Sequence, residues 1–576
     1  PRRAMKTRYI DLIEQTFDFP QGEFKFDNEL LTWNDLPLME IIEKHGTPLR
    51  VMYLPKIGEK IDQARDYFAK AFKEHNYKGT YEYFYCTKSN QFSYVVSEVL
   101  KKGVSLETSS AYDINIIERL METGEMPRTA TILCNGYKDE RYIRNIGRLA
   151  NNGVRTIPII DNMSELWALD EAITGPCDIG IRIAAEEAPK FEFYTSRLGV
   201  GYKDIIPFYM RNVSKQRKFK LKLMHFFINT GISDSAYYWN ELTKCVNVYC
   251  DLKKLCPTLD TLDIGGGLPI DTSLNRHFDV DYMIGEIIGR VKDICDENGV
   301  PEPNIYSEFG SYTVGESGAS FFSILNQKKQ NEKERWNMID GSFMTSLPDT
   351  WAINRRFIML PINNWSDEYE RVFLGGMTCD SDDYYNSEQH VNAIYLPRFR
   401  EDRPQHLGFF NTGAYQDTLG GYGGIQHCLI PKPKYLLIDR APDGTFTERV
   451  FSEMQSAERM LELLGYLPKE ALVETCPRCA SVIGLRRSTD PTMSHFRLTS
   501  FLVRISLLYF APKPAHEQRT SDIGLHGTAL SAFQCSRAHG CRQSLQVPQG
   551  QWQEDAGVPR RRHEHRRAGQ EPRRDD

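Results

Sequence analysis

Between Tyr81 and Tyr306 the chain alternates strand-like runs with helical patterns, and this rhythm limits its fold more than any other feature. The runs are Tyr81–Cys86, Val104–Leu106, Ala130–Cys134, Val154–Ile160, Asp178–Ile183, Leu221–Ile228, Leu259–Ile264 and Asn304–Tyr306. The first is aromatic-rich and free of Gly and Pro, as a buried strand is. After it Phe92, Val95, Val96, Val99 and Leu100 fall at i, i+3, i+4, i+7 and i+8, the stripe of a helix that stops near Gly103. Ser110 with Asp113 predicts a capped helix after the second run, and Ser164 opens another before Leu166, Leu169 and Ala172. Strand signals alternating with helices in this number predict a (β/α)8 barrel, with a doubly wound open sheet as the rival.

The flanks read differently. Phe17, Phe19, Phe24 and Phe26 suggest strand material, and Leu49–Leu54 reads as a strand before an amphipathic helix through Ile61, Ala64, Phe68 and Phe72. Beyond residue 315 helical stripes become scarce. Arg371–Met377, Val391–Tyr395, His406–Phe410 and Lys434–Ile438 read as strands of a β-domain, to which the first 50 residues add a strand, and a helix over Glu453–Leu464 closes it. The expected organisation is an N-terminal segment (1–47), a barrel (48–315), a β-domain (316–466) and an atypical tail (467–576). In the tail periodicity fades and arginines replace lysines, Lys513 being the last lysine; disorder or a shifted reading frame is the expectation. Cys476, Cys479, Cys535, His539 and Cys541 within it have the residue types of zinc ligands.

Composition narrows the function classes. The 576 residues are 41% hydrophobic and 26% charged, with formal net charge −6, which suits a soluble chain and gives no basic footprint for nucleic acid. Pro1–Met5 lacks the apolar core of a secretory leader, and Leu498–Phe510 is short and broken by Arg504, so neither a leader nor a membrane span is expected. Thirteen scattered cysteines suit reduced thiols and a cytoplasmic location.

Four places carry candidate chemistry. Lys88 sits where the first strand hands over to a helix, its amine aimed off the strand's carboxyl end; alone it also reads as a solvated lysine. Gly265, Gly266 and Gly267 follow the seventh strand, where barrels bind phosphate, although a glycine triplet is also an ordinary tight turn. Glu308 closes the eighth strand, facing the mouth or simply the surface; Glu107 and Arg182 are further inward candidates, and a buried Arg182 needs a paired partner. Thr378–Asp383 places Cys379 beside Asp380, Ser381 and Asp382, a thiol proton donor with acidic groups, or an acidic turn of the calcium-binding kind, or a solvated loop.

Taken together, these motifs resemble the pyridoxal-phosphate decarboxylases of the alanine-racemase fold, which include ornithine, diaminopimelate and biosynthetic arginine decarboxylases. The similarity runs from about residue 48 to 465. It implies that Lys88, in Tyr85–Asn90, carries the cofactor, that Gly265–Gly267 hold its phosphate and that Glu308 partners its pyridinium. Cys379–Asp380 resembles the motif that enters a neighbouring subunit's site, and Gly413-Ala414-Tyr415 the motif that touches the phosphate. Glu107, Arg182 and Thr230 become cofactor contacts on the same ground. Ile132–Asp139, Ser346–Trp351 and Leu407–Gln416 are long matches to the arginine branch, which makes Asp349, Asp380 and Asp382 the ligands of a cationic side chain. Two positions depart from the family: Ser311 replaces its phosphate-binding arginine, and Phe227 the histidine that stacks on the cofactor ring. The helical insertion usual in the arginine branch is also missing.

The resemblance implies a homodimer or higher oligomer with shared active sites that decarboxylates L-arginine to agmatine in polyamine synthesis, with pyridoxal phosphate and, by resemblance only, Mg2+. Decarboxylation of ornithine, lysine, diaminopimelate or a carboxylated polyamine is the nearest alternative. A weakened homologue that binds a partner enzyme is another, permitted by Ser311 and Phe227.

Overall fold

The computed structural model describes residues 22–27, 29–186, 194–274, 278–385 and 394–466. The expectations for Phe17, Phe19, the start of Val391–Tyr395 and everything from Leu467 onward, with its cysteines, His539 and Leu498–Phe510, lie outside these residues. Among the described residues no helix is long and apolar enough to cross a membrane.

Eight parallel strands close into a barrel: β1 (Tyr81–Cys86), β2 (Ser105–Thr108), β3 (Ile132–Cys134), β4 (Thr156–Ile160), β5 (Cys177–Arg182), β6 (Phe219–His225), β7 (Thr261–Asp263) and β8 (Asn304–Glu308). Every one overlaps an expected run, and β8 pairs back onto β1 through Ser307 and Tyr83, which rules out the open sheet. Alternation along each strand sorts the side chains. Tyr83, Tyr85, Leu106, Ile132, Ile179, Ile181 and Leu262 point outward into the apolar layer under the helices. Phe84, Leu133, Ile157, Ile159, Leu223 and Tyr306 point inward and fill the barrel. One step further along, at the carboxyl ends, the same inward parity presents Cys86, Glu107, Asn135, Arg182, His225 and Glu308. The barrel is therefore a packed floor beneath a polar mouth.

Local signals set the helices. Ser110 accepts from the Asp113 N–H, as its spacing predicts. Ser164 does not cap its helix: its backbone is already helical (φ −72°, ψ −19°), and its N–H and hydroxyl turn back to Asn162 Oδ1, at 3.0 Å each. An N-cap needs extended backbone to present its oxygen to the first turn, so Ser164 is one residue too far along.

The β-domain is a ten-stranded sheet centred on Gly318–Lys329. Leu49–Tyr53 lies at its heart, antiparallel to Gly318–Phe321 and parallel to Lys434–Ile438, so the barrel boundary drawn at residue 48 places this strand in the wrong domain. A strand buried at all five positions reads as an apolar run whichever sheet it joins. Phe24, Leu31, Trp33 and Leu36 of a small N-terminal sheet complete one core of this domain. The expected strand His406–Phe410 is found as such, while Ala457–Leu463 is shorter than the expected closing helix.

The turn after His406–Phe410 brings the sheet onto the barrel mouth. Arg50, 2% exposed, donates to Ser320 Oγ (2.7 Å) and Thr412 Oγ1 (2.5 Å) and pairs with Asp417 (3.3 Å). Asn90 Nδ2 donates to Gly413 O (3.0 Å), and the Tyr415 N–H to Ser89 O (2.8 Å). Gly413 is packed so closely that a Cβ would lie 2.0 Å from Val314 O. Gly413→Ala should therefore cost about 1–3 kcal/mol by overpacking this seam. Urea unfolding measures this, and an unchanged midpoint would mean that the two domains are not clamped here.

Candidate active site

Lys88 lies on the 3-10 turn Thr87–Ser89 directly after β1. Its side chain keeps 43% of its exposure and lines the cavity at the barrel mouth, whereas Glu107 at the end of β2 is fully buried. Lys88 Nζ meets Glu107 Oε2 at 3.1 Å, and Ser109 Oγ donates to the other carboxylate oxygen at 2.9 Å. Burial opposes the charge on the amine, but the anionic surroundings outweigh it and hold its pKa well above the ordinary value. Cys86 would be the strongest of these if ionised. Burial pushes that thiol up, so it is neutral, and Glu107 with Glu308 carries the effect at neutral pH.

Glu308, 3% exposed at the end of β8, is held from three sides. Asn135 Nδ2 donates to both of its oxygens (3.2 and 3.1 Å), and His225 Nε2 lies 3.2 Å from Oε2. Asp263, fully buried on β7, has its carboxyl within 4.8 Å of both His225 and Glu308 and accepts from the Gly265 N–H at 2.8 Å. Two buried carboxyls this close share a charge unequally. Burial and the Glu308 charge push Asp263 well up, so it keeps a proton. Burial would raise Glu308 too, but His225, Lys88 and the proton on Asp263 bring it down to about 2. One carboxyl stays ionised because its neighbour does not.

Above this layer is a cavity of about 460 Å3. Among its lining residues are Lys88, Glu107, Arg182, Phe227, Gly266, Gly267, Glu308, Ser311 and Tyr415, which the sequence singles out. Gly265 stands just behind, its N–H engaged by Asp263. Thr230 Oγ1 is buried without a hydrogen-bond partner on the loop after β6, where Ile232 N donates to Gly267 O at 2.9 Å. The glycines are required: a Cβ on Gly266 would lie 2.3 Å from Glu308 O, and Gly265 and Gly267 have φ of +68° and +97°. Tyr415 takes φ +67° without that freedom, a strained backbone held by its bond to Ser89. Burial raises its phenol pKa against the Lys88 charge and the Ser311 hydroxyl. Arg182, expected to need a paired partner, is 7% exposed with Nε unpartnered, its guanidinium 5.4 Å from the Phe227 ring centre.

Sequence reasoning missed Asn135, His225 and Asp263. The parity that points Glu107, Arg182 and Glu308 inward also selects them, as polar residues at inward carboxyl-end positions.

The remaining candidates lie outside this cavity, on the β-domain. Asp349 is only 4% exposed, and its Oδ2 accepts from Gln416 Nε2 (2.8 Å) and pairs with Arg355 (3.3 Å), partners within its own domain. Cys379, Asp380 and Asp382 are on an open loop whose organiser is Asp383, accepting from Phe343 N (2.8 Å) and Thr378 Oγ1 (2.6 Å).

A family model described as pyridoxal-dependent decarboxylase, pyridoxal binding domain, matches residues 58–315, the barrel with its first helix. The barrel of this chain thus resembles the pyridoxal-binding domain of pyridoxal-dependent decarboxylases. Among curated relatives, the biosynthetic arginine decarboxylase of Prochlorococcus marinus strain AS9601 is 23% identical, covering 83% of this chain and 91% of its own. Biosynthetic arginine decarboxylase 2 of Synechocystis is 22% identical over 81% of this chain and 87% of its own. The biosynthetic arginine decarboxylase structure from Campylobacter jejuni superposes with a TM-score of 0.68 at 20% identity, covering 86% of this chain and 98% of that one. Diaminopimelate decarboxylase from M. jannaschii gives 0.65 at 16% identity, covering 79% and 100%. These solved structures share the barrel and β-domain fold of this chain.

The site fits pyridoxal phosphate on its own geometry, having a turn of three glycines packed too closely on neighbouring backbone to admit a Cβ, an unpartnered Thr230 hydroxyl on the adjoining loop, and an amine and an anionic carboxylate at the mouth. The clusters with metal-ligand types, Cys86–Glu107–Glu308 and His225–Asp263–Glu308, are parts of this same site.

The unequal carboxyl pair yields a pH prediction. Because the folded pKa of Asp263 is raised, the native state binds the extra proton, and this group's contribution to stability falls as pH rises above its unfolded value of about 3.9. Asp263→Asn keeps the hydrogen bonds without the charge. Melting temperatures recorded from pH 4 to 8 should fall less with rising pH in the variant, and identical slopes would show that Asp263 holds no extra proton.

Proposed function

We propose that this protein converts L-arginine to agmatine and CO2 for polyamine synthesis, as a cytoplasmic homodimer whose two active sites are shared between subunits. The position of Lys88 carries the reading: its amine opens into the cavity between two buried carboxylates, in a chain whose relatives are named biosynthetic arginine decarboxylases. Gly265–Gly267, Thr230, Ser311 and Tyr415 would hold the cofactor phosphate, Phe227 its ring face, Glu308 its ring nitrogen and Lys88 its carbonyl carbon. Glu107 and Arg182 complete the wall. When bound, pyridoxal phosphate supplies an electron sink for the bonding electrons left by departing CO2.

The chain's own groups do the rest. Glu308, kept anionic by His225, Asn135 and Asp263, holds a proton on the ring nitrogen. Lys88, displaced by the substrate's α-amine, returns to release the product. Cys379 delivers a proton to the substrate's α-carbon, and a hydrogen bond to Cys428 raises its pKa, so it retains a proton to give. Asp380 and Asp382 meet the guanidinium. These three residues are absent from the lining of their own chain's cavity, so in this reading they serve the partner's. Ser311 gives the phosphate a neutral contact where the family supplies an arginine, which predicts weaker cofactor retention. No step here needs Mg2+, and the carboxylates at the barrel mouth are engaged with Lys88, His225 and Asn135.

Two measurements test this. With pyridoxal phosphate and a panel of arginine, ornithine, lysine, diaminopimelate and a carboxylated polyamine, CO2 release should be fastest with arginine; release from none would favour the weakened homologue that Ser311 and Phe227 permit. Lys88→Ala and Cys379→Ala proteins, inactive alone, should regain about a quarter of wild-type activity when mixed, since random pairing makes half the dimers mixed with one intact site each. An inactive mixture despite demonstrated subunit exchange contradicts shared sites.

A further inference from the structure

Nine cysteines are free among the described residues; seven are buried, and the two exposed ones, Cys379 and Cys428, face each other. Their sulfurs are 3.6 Å apart although the residues are 49 positions apart in sequence. His427 Nε2 lies 3.4 Å from Cys428 Sγ, and the same nitrogen lies 3.4 Å from Asp380 Oδ2. Cys428 and Leu429 both take left-handed backbone, with φ of +53° and +55°, conformations that only a specific local arrangement imposes on residues with a Cβ. The strained turn points Cys428 at the thiol of the other loop. Buried cysteines such as Cys250 and Cys295, also close at 3.9 Å, lack both access to a reagent and a neighbouring base.

We propose that Cys379 and Cys428 form a reversible dithiol–disulfide pair that responds to hydroperoxides, with Cys428 as the attacking thiol and Cys379 as the resolving one. His427, oriented by Asp380, stabilises the Cys428 thiolate, and thiolate is the form that attacks peroxide. The imidazole lies against Cys428, and the hydrogen bond between the thiols raises the pKa of Cys379, so the attacking role is assigned to Cys428. In the first step, with hydrogen peroxide, Cys428 sulfur attacks one oxygen, the O–O bond breaks and a sulfenic acid forms, while the other oxygen takes the proton that the thiol gave up and leaves as water. In the second, Cys379 sulfur attacks the Cys428 sulfur, the S–O bond breaks, and the hydroxyl departs as a second water with the Cys379 proton. The two thiols together lose two electrons and the peroxide gains them. A dithiol reductant reverses the change by exchange.

The disulfide stands independently of the proposed function. Its consequence rests on that reading: a sulfur tied to Cys428 has no proton to give, so oxidation would silence the site that Cys379 serves.

Treating the full-length, cofactor-loaded protein with hydrogen peroxide, followed by alkylation and peptide mapping, tests the pair. A cross-linked peptide joining Cys379 to Cys428, two hydrogens lighter and released by dithiothreitol, is expected. Decarboxylation should be lost in step with it and recovered with the reductant. Cys428→Ser should give no such peptide and, measured against its own untreated rate, lose activity to peroxide far more slowly than the unsubstituted protein. If both thiols alkylate as free cysteines after treatment, or if Cys379 pairs elsewhere, the proposal is overturned. If the cross-link forms and activity is untouched, the pair stands and the proton-donor role of Cys379 falls.

Discussion

Two carboxylates, Glu107 and Glu308, are buried at the mouth of a closed barrel, and much of the surrounding structure answers their charge. An unpaired buried carboxylate costs several kcal/mol, so each must be met. Lys88 meets Glu107 directly; Glu308 is met by an amide, an imidazole and the proton on Asp263. These partners come from β1, β3, β6 and β7, so the charge balance is complete only when the barrel is closed and in register. A one-residue slip in any strand would turn its group outward into apolar packing.

The β-domain contributes through a seam. Arg50, buried on a strand deep in the sheet, fixes Thr412 and Asp417, and the turn between them carries Tyr415 to the cavity. The strain in Tyr415 is tolerated because both flanks are pinned, by Asn90 to Gly413 and by Ser89 to Tyr415 itself. The loop of Cys379 lies at an edge of the same sheet and does not line the cavity. One domain thus closes its own chain's site and, in the proposed dimer, supplies acid and specificity to another.

The barrel was legible in the sequence because its strands are short, buried and separated by amphipathic helices, so local pattern and tertiary role coincide. Lys88, the glycine triplet and Glu308 were legible for the same reason, each marking a strand end. Leu49–Tyr53 was legible as a strand but its sheet was not, since its partners lie hundreds of residues downstream and nothing local distinguishes one buried strand from another. The partners of Asp349 were not legible, because a motif shows which residues are present and not what they bond; in the fold Gln416 and Arg355 contact it. Asn135, His225 and Asp263 had no conspicuous motif, yet strand parity selects them once the barrel is assumed. Cys428 had no local signal at all, being brought to Cys379 only by the folded β-domain.

The functional reading depends on Lys88 as the residue that binds the cofactor. Borohydride reduction of the protein with pyridoxal phosphate, followed by digestion and mass mapping, tests this directly. The label should fall on Lys88, between Thr87 and Ser89, and vanish in Lys88→Ala. Label on any other lysine, or none with the protein folded and cofactor present, would contradict it.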